Sequence, residues 1–420
     1  MQRRARPTRR GDRDPADARL ADGHGPRELG AGGGARPRAR GRHLVAAAAP
    51  RGGRGQLDPH AARREDGAVS RAIVPDPSVS VEAIVADVRE RGDHAVADWS
   101  NRLDGTALER PQRAVAYGDL PVEAVLAAAR NVRTWHAAQR PRDLVLEVSP
   151  GVTLERRWAP LRSVGVYVPT GLVSSLIMTA VPAKEAGVER IVVCTPPRGA
   201  ATVAAAAALL GVEEVWAIGG AQAIAAMAYG TESIAPVDKI VGPGGGAVNA
   251  AKLFVSRDVA IDLPAGPSEV VVVADEGFDR AIIDQELAAQ LEHGPDSKGH
   301  VVWVGDDLDA ALEQVEGHAA EHVALLGPRA ESLAGRIRNA GAVFVGPYAP
   351  VPAGDYATGG NHVLPTGGWA RSTGGLGLES FMKCVTVQRV TEEGLARLAP
   401  TIEALAELEG LEAHKRTARR

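Results

Sequence analysis

Two cysteines stand in 420 residues, and no run of about 18 apolar residues occurs anywhere along the chain. The first scarcity excludes a disulfide framework: Cys194 and Cys384 lie 190 positions apart and read as buried small hydrophobes in a reducing compartment. The second excludes a membrane-spanning helix, so the expectation is a soluble, cytoplasmic protein with no membrane partner. Residues 1–67 lack Phe, Trp, Tyr and Lys altogether. They hold 16 Arg against 8 Asp plus Glu, about +8, while the 32 basic and 44 acidic residues that follow leave about −12 of the total −4. That split alone would suit a nucleic-acid-binding arm. A segment of Arg, Gly, Ala, Pro and Asp without aromatics, however, buries too little apolar surface to offset its ordering entropy. It also lacks the apolar stretch of a secretory signal, and its acids and glycines separate it from a transit peptide. Residues 1–70 are therefore set apart as an extension or as sequence from a start placed upstream, and no nucleic-acid partner is expected.

The rest has the composition of a globular enzyme, with 45% hydrophobic and 24% charged residues overall. Its length suggests two or three domains. Residues 81–105 and 121–139 carry apolar residues at helical spacing, the first with a glycine break, giving a helical segment over 71–140. Strands at 144–148, 152–158 and 163–169 lead into an alternation of short apolar runs and helices: 191–197 then 201–211, 214–219 then 221–230, and 239–244 then a helix ending near Phe254. A second series has strands at 270–275, 300–305 and 342–346 between helices at 278–293, 307–319 and 329–340. The expected class is α/β, with two Rossmann-like domains on parallel sheets at 141–262 and 263–378. A closing segment, 379–420, holds a strand at 385–390 and a helix from Glu392 to about His414.

Several residues could carry chemistry. GPGGGA (242–247) follows a predicted strand and opens a helix, which fits a dinucleotide turn; a tight turn without a ligand fits it equally. In QLEH (290–293), Gln290 and His293 share a helix face at its C-terminal end, where zinc ligands or a plain dipole-favoured His are both reasonable. AAEH (319–322) puts the acid Glu321 beside the base His322, useful together only at an element end. GDYATGGNHVLPTGG (354–368) sets Asp355 and His362 among glycines, as a loop bringing backbone close to a small ligand would. His414 lies near the chain end. Spacing does not say whether these groups meet.

Taken in order, the stretches GVYVP (165–169), GGAQAIAAMAYG (219–230), DKIVGPG (238–244), DLPAGPSEV (262–270), QLEHGPDS (290–297), AEHV (320–323), GDYATGGNHVLPT (354–366) and ELEGLEAHK (407–415) resemble the histidinol dehydrogenase family from about Val74 to His414. The resemblance implies oxidation of L-histidinol through L-histidinal to L-histidine with two NAD reduced, in a domain-swapped homodimer. It implies zinc on Gln290, His293, Asp355 and His414, the last from the other subunit. Glu321 and His322 would be catalytic. Ser268, Gln290, His293, His322, Asp355, His362, Glu409 and His414 would meet substrate, and Tyr167, Gln222 and Gly245 the dinucleotide. Three places depart from the family pattern: Gly245 replaces a usual Asn, the loop YVPTGLVSS (167–175) is short, and Ala320 replaces a usual Pro. Relatives acting on other small alcohols, such as sulfonated propanediols, and a non-catalytic metal- or ligand-binding relative are the alternatives. The retained Glu409 and the complete Glu321–His322 pair speak against them.

Overall fold

The computed structural model describes residues 80–264 and 266–418; the expectations for 1–70 and for the start of order near Arg71 lie outside the described residues. The Ser80 hydroxyl accepts the Ala83 N–H at 3.1 Å and so caps α1 (Val81–Arg91). Gly92, at φ 55°, turns the chain into α2 (Asp93–Asp104), as the glycine break suggested. α3 (Val122–Ala137) buries Val125, Ala129, Val132 and His136, one residue every three or four. β1 (Leu144–Ser149) and β2 (Val152–Pro160) then pair antiparallel.

Next come β3 (Ser163–Tyr167), α4 (Val173–Ala186), β4 (Arg190–Thr195), α5 (Ala200–Leu209), β5 (Glu214–Ala217), α6 (Gly220–Tyr229), β6 (Lys239–Val241), α7 (Gly246–Val255) and β7 (Ala260–Ile261). The strands form a parallel sheet in the order β5-β4-β3-β6-β7. Its inner strands are buried on both faces, and strand alternation divides their side chains between two cores. Val164, Val166 and Val193 pack with α3, α4 and α5, while Tyr167, Val192 and Cys194 pack with α1, α2, α6 and α7.

A second parallel sheet follows, from β8 (Glu269–Asp275), α8 (Arg280–Leu291), β9 (Lys298–Val304), α9 (Leu308–His318), β10 (His322–Leu326), α10 (Pro328–Glu331) and β11 (Ala342–Val345), ordered β11-β10-β8-β9. Val271, Val273, Val323 and Leu325 face α9; Val270, Val272 and Ala324 face Ile283 of α8 and Val351 of α11 (Val351–Tyr356). The chain ends in β12 (Met382–Val390), α12 (Glu392–Leu408) and α13 (Glu412–Thr417). β12 pairs antiparallel with β2, completing the three-stranded sheet β1-β2-β12. The class is mixed α/β with parallel sheets, as expected.

The structure differs from the sequence reading in several places. β10, an inner strand, was not anticipated. α4 begins inside the stretch read as the loop 167–175. The helix expected at 329–340 is the single turn α10, because beyond it the backbone closes three-residue turns such as Arg336 N–H to Leu333 O, and Glu316 captures the Arg338 N–H at 2.6 Å. Gly410, at φ 72°, splits the final helix into α12 and α13. Cys194 is buried in β4 as expected, but Cys384 is exposed on β12; both are free. Among the described residues no helix is long and apolar enough to cross a membrane.

His136 is fully buried on α3, its Nδ1 2.7 Å from the Val132 carbonyl, and burial lowers its pKa from 6.5. A folded pKa below the unfolded one means that the neutral ring's contribution is present above about pH 6.5 and is lost as the pH falls toward the lowered value. The melting temperature of His136→Gln should consequently fall less steeply than the parent's between about pH 7 and pH 5. Parallel slopes in thermal melts would show that His136 contributes nothing to acid sensitivity.

Candidate active site

His322 begins β10, paired with Val270 of β8 on one side and Ala342 of β11 on the other. Glu321 and His322 thus sit at the N-terminal edge of the second sheet, only 7% and 2% exposed. Glu321 lies in the bend before the strand, and its Oε2 comes within 3.8 Å of His322 Nδ1, so the two side chains share one set of partners. Glu321 Oε2 accepts the Glu269 N–H at 3.0 Å and, in a short contact, the Ser268 hydroxyl. Having given its proton away, Ser268 Oγ accepts from Gln290 Nε2 at 2.7 Å. The Gln290 amide oxygen is then left to face His322 Nδ1, at 3.3 Å. Against an amide oxygen Nδ1 must donate, which leaves the lone pair on Nε2. The orientation of four side chains follows from one carboxylate.

Burial dominates the electrostatics. It pushes Glu321 up to about 7, against the lowering effect of Ser268 and the Glu269 N–H, with the charges of Asp355 and Glu269 adding to the rise. It pulls His322 down to about 3, helped by the charges of His293 and His362, so the ring is neutral near pH 7. His362 falls to about 4 for the same first reason, and Asp355 is raised by burial with His293 opposing. His293, Asp355 and His362 thus act electrostatically on Glu321 and His322, and His362 Nδ1 lies 4.0 Å from Asp355 Oδ1.

Each comes from a defined place. Gln290 lies in the last turn of α8. His293 stands exposed just beyond it, its backbone N–H donating to Gln290 O at 3.2 Å. Asp355 is on the short helix α11 and not in the glycine loop that the sequence suggested. The loop proper is 357–363, and α3 fixes its start: Asn131 Nδ2 donates to Ala357 O at 2.7 Å. A Cβ on Gly359, at φ 96°, would lie 2.5 Å from Asn131 O, so only glycine permits that approach. Asn361 donates to Met178 O at 2.7 Å and accepts the Val363 N–H at 2.9 Å. Held between them, His362 turns its Nδ1 to Asp355 O, 3.1 Å away. Asn131, Asn361 and Glu269 are supporting residues that sequence reasoning missed; an Asn before a His in a glycine-rich stretch is the one signal that was available.

Two site residues named from the sequence are not in this cluster. Glu409, the C-cap of α12, and His414, in α13, are exposed, and their hydrogen bonds stay within the C-terminal helices.

Tyr167, Gln222 and Gly245 lie at the other sheet, around the C-terminal ends of its strands. Strand order reverses between β3 and β6, the switch point where open α/β sheets form a ligand crevice. Tyr167 ends β3, buried, its hydroxyl accepting the Gly220 N–H at 3.2 Å. Gln222 is buried in the first turn of α6, donating to Asp104 Oδ2 at 3.3 Å while its Oε1 has no partner among the described residues. Gly245 caps α7, and a Cβ on it or on Gly246 would meet nothing within 4 Å. An orphaned acceptor and open space before a helix N-terminus fit a dinucleotide. For the metal, the amide oxygen of Gln290, the imidazole of His293 and the carboxylate of Asp355 are donors that zinc accepts. Among the described residues no three His, Cys, Asp or Glu side chains form a metal cluster by themselves. The donors of this chain thus fit zinc as a partial set of three, one of them an amide.

The family model described as histidinol dehydrogenase matches residues 71–304 and 298–420. The histidinol dehydrogenase of Methanosarcina mazei is 39% identical over 392 residues, covering 81% of this chain and 90% of its own. That of Methanothermobacter thermautotrophicus is 41% identical over 403 residues, covering 84% and 95%. The crystal structure of histidinol dehydrogenase from Elizabethkingia anophelis superimposes with a TM-score of 0.75 at 32% identity, covering 81% of this chain and 90% of that one. The matched span includes every element that builds the buried ring and the turn at the switch point, and the chain belongs to the histidinol dehydrogenase family.

Proposed function

We propose that this chain oxidises L-histidinol by way of L-histidinal to L-histidine, in the cytoplasm, passing two hydrides to NAD. Zinc would be held by Gln290, His293, Asp355 and His414 of the partner subunit in a homodimer. The observation that carries the reading is the directional ring Glu321–Ser268–Gln290–His322, beside His293, Asp355 and His362, in a member of this family. Zinc supplies Lewis-acid anchoring of the substrate's nitrogen groups, and NAD supplies the hydride acceptor. The chain does the rest.

Each oxidation removes one hydride and one proton from the substrate carbon and its oxygen. Neutral His322, with Nδ1 tied to Gln290, offers Nε2 to the alcohol proton. Glu321, with a pKa near 7, is matched to trading a proton with water at neutral pH, and takes it as that water adds to the aldehyde. His362, held by α11 and the Asn361 loop, would contact substrate. Glu409, five positions before His414, would reach the site with it and pair with the substrate amine. The burial that keeps His322 neutral also keeps the aldehyde from escaping before that water adds.

The domain reading of 141–262 on the cofactor side, 263–378 on the metal side and 379–420 in dimer contact belongs to the same proposal. It is supported by exposed apolar residues on the C-terminal layer: Leu144, Val145, Leu146 and Val148 of β1, Val385 and Val390 of β12, and Leu405 and Leu408 of α12.

Five outcomes are expected. Formation of NADH from histidinol should stop when a chelator strips the metal and return with zinc; silence toward histidinol from zinc-loaded protein would shift the substrate to another alcohol. Glu321→Gln should lower turnover by about 10²–10⁴-fold, and His414→Ala should cost metal and activity. If His414 serves the neighbouring subunit, co-refolding these two inactive variants should restore about a quarter of the parental sites; no recovery would place His414 in its own chain's site. Gly245→Asn, which the open space and the φ of −68° accommodate, should lower KM for NAD and leave KM for histidinol unchanged. An unaltered KM for NAD would remove Gly245 from the cofactor site.

A further inference from the structure

The turn that opens α7 is gripped by an ion pair that the reaction above does not use. Lys252 and Asp262 have side chains only 2% and 0% exposed, with Nζ and Oδ1 2.5 Å apart. Both hold the peptide groups of one residue. Lys252 Nζ donates to the Gly242 carbonyl at 2.9 Å, and Asp262 Oδ2 accepts the Gly242 N–H at 2.8 Å. Asp262 Oδ1 also takes the Leu263 N–H at 2.7 Å. One turn earlier on the same face of α7, Asn249 Nδ2 donates to Gly244 O at 2.6 Å. The helix thus pulls two carbonyls of its own leading turn inward. Gly242, at φ 113°, crosses β3 so closely that a Cβ would lie 2.2 Å from Tyr167 O, so the clamped peptide sits directly against the end of β3.

A buried ammonium and carboxylate are a costly way to fill space, and apolar side chains of similar volume usually serve stability as well or better. What such chains could not do is bind the N–H and the C=O of the same residue, and so fix the two peptide groups that flank it. Because Gly242 lies at the switch point and leads directly into Pro243, Gly244 and Gly245, its orientation sets where that turn points.

We propose that Lys252 and Asp262 are positioning residues for the dinucleotide: they fix the Gly242 peptide, and with it the turn 243–245 that meets the cofactor. This rests on the NAD reading above. The test compares the parent with Lys252→Met and with the double variant Lys252→Met/Asp262→Leu. The readouts are NAD binding by calorimetry, melting temperature, hydrogen exchange over residues 239–250, zinc content and histidinol binding. The single variant should lose stability, because it leaves Asp262 buried and uncompensated. The double variant should melt above the single one, though below the parent because the Gly242 N–H and C=O lose their partners, while its Kd for NAD rises about tenfold or more. Exchange over 239–250 should quicken, and zinc content and histidinol affinity should match the parent. A double variant that binds NAD as tightly as the parent would overturn the proposal and leave the pair a stability feature. If the double variant does not fold, Asp262→Asn takes its place. It keeps an oxygen for the Gly242 N–H and should weaken NAD binding less than Lys252→Met; equal or no weakening in the two would overturn the proposal. A parent that binds zinc and histidinol but not NAD would remove the NAD reading itself, before any substitution is made, and the proposal with it.

Discussion

Two ionisable side chains are taken out of water at the head of an inner strand, and the second half of the fold is arranged around that cost. Glu321 and His322 would each lose far more by desolvation than a single hydrogen bond returns, so each must be met by groups already in place. The topology supplies them. In a parallel sheet the strands start at one edge, and each connecting helix runs back toward that edge. The starts of β8 and β10 and the last turn of α8 therefore converge, delivering Ser268, the Glu269 N–H and Gln290 to the same spot. The ring has a single sense because Ser268 has one proton and Gln290 two different ends. Reversing any member would leave a donor facing a donor or an acceptor facing an acceptor.

The two sheets are used at opposite edges. The first offers the C-terminal ends of β3 and β6, the usual position for a ligand crevice in an open sheet; the second offers the N-terminal ends of β8 and β10. Two stretches of chain join these edges. One runs from Asp262, at the end of β7, to Ser268, six residues that span at most about 20 Å. The other leaves α11 through the Asn361 loop and enters the core of the first sheet with Val363, Leu376, Leu378 and Phe381. Asp355 and His362 are consequently held from both sides. The hydrogen bonds from Asn361 to Met178 O on α4, and from Asn131 on α3 to Ala357 O, tie this loop to the helices of the first sheet.

Much of the α/β alternation was legible because strands buried on both faces appear as continuous apolar runs, such as VVVVAD at 270–275 and IVVCT at 191–195. β10 was not, because HVALL begins with the His of AAEH, and an acid next to a His reads more readily as a helix end than as the start of an inner strand. Residue types at 290, 293, 321, 322, 355 and 362 flagged chemistry, but their roles came from the resemblance, since spacing within a chain does not reveal which distant segments meet. The direction of the hydrogen-bonded ring was beyond the sequence entirely. Lys252 was hidden for a different reason: a lysine in an Ala-rich helix reads as a solvated position, and only the structure shows its ammonium beneath Gly242.

The C-terminal layer is where the single chain stops explaining itself. β1 is exposed along both faces although Leu144, Val145, Leu146 and Val148 are apolar, and α12 carries Leu405 and Leu408 outward. Such residues exposed together, on a sheet that joins β1 and β2 to β12, suit burial against another surface better than contact with water. On the same layer lie Glu409 and His414, the two proposed site residues absent from the ring. If that layer docks on a second copy, one event covers the apolar face and brings an imidazole and a carboxylate to a neighbour whose Gln290, His293 and Asp355 lack a fourth donor. Catalytic completeness would then depend on the same apolar burial that holds the dimer together, and a lone subunit would be both sticky and inactive.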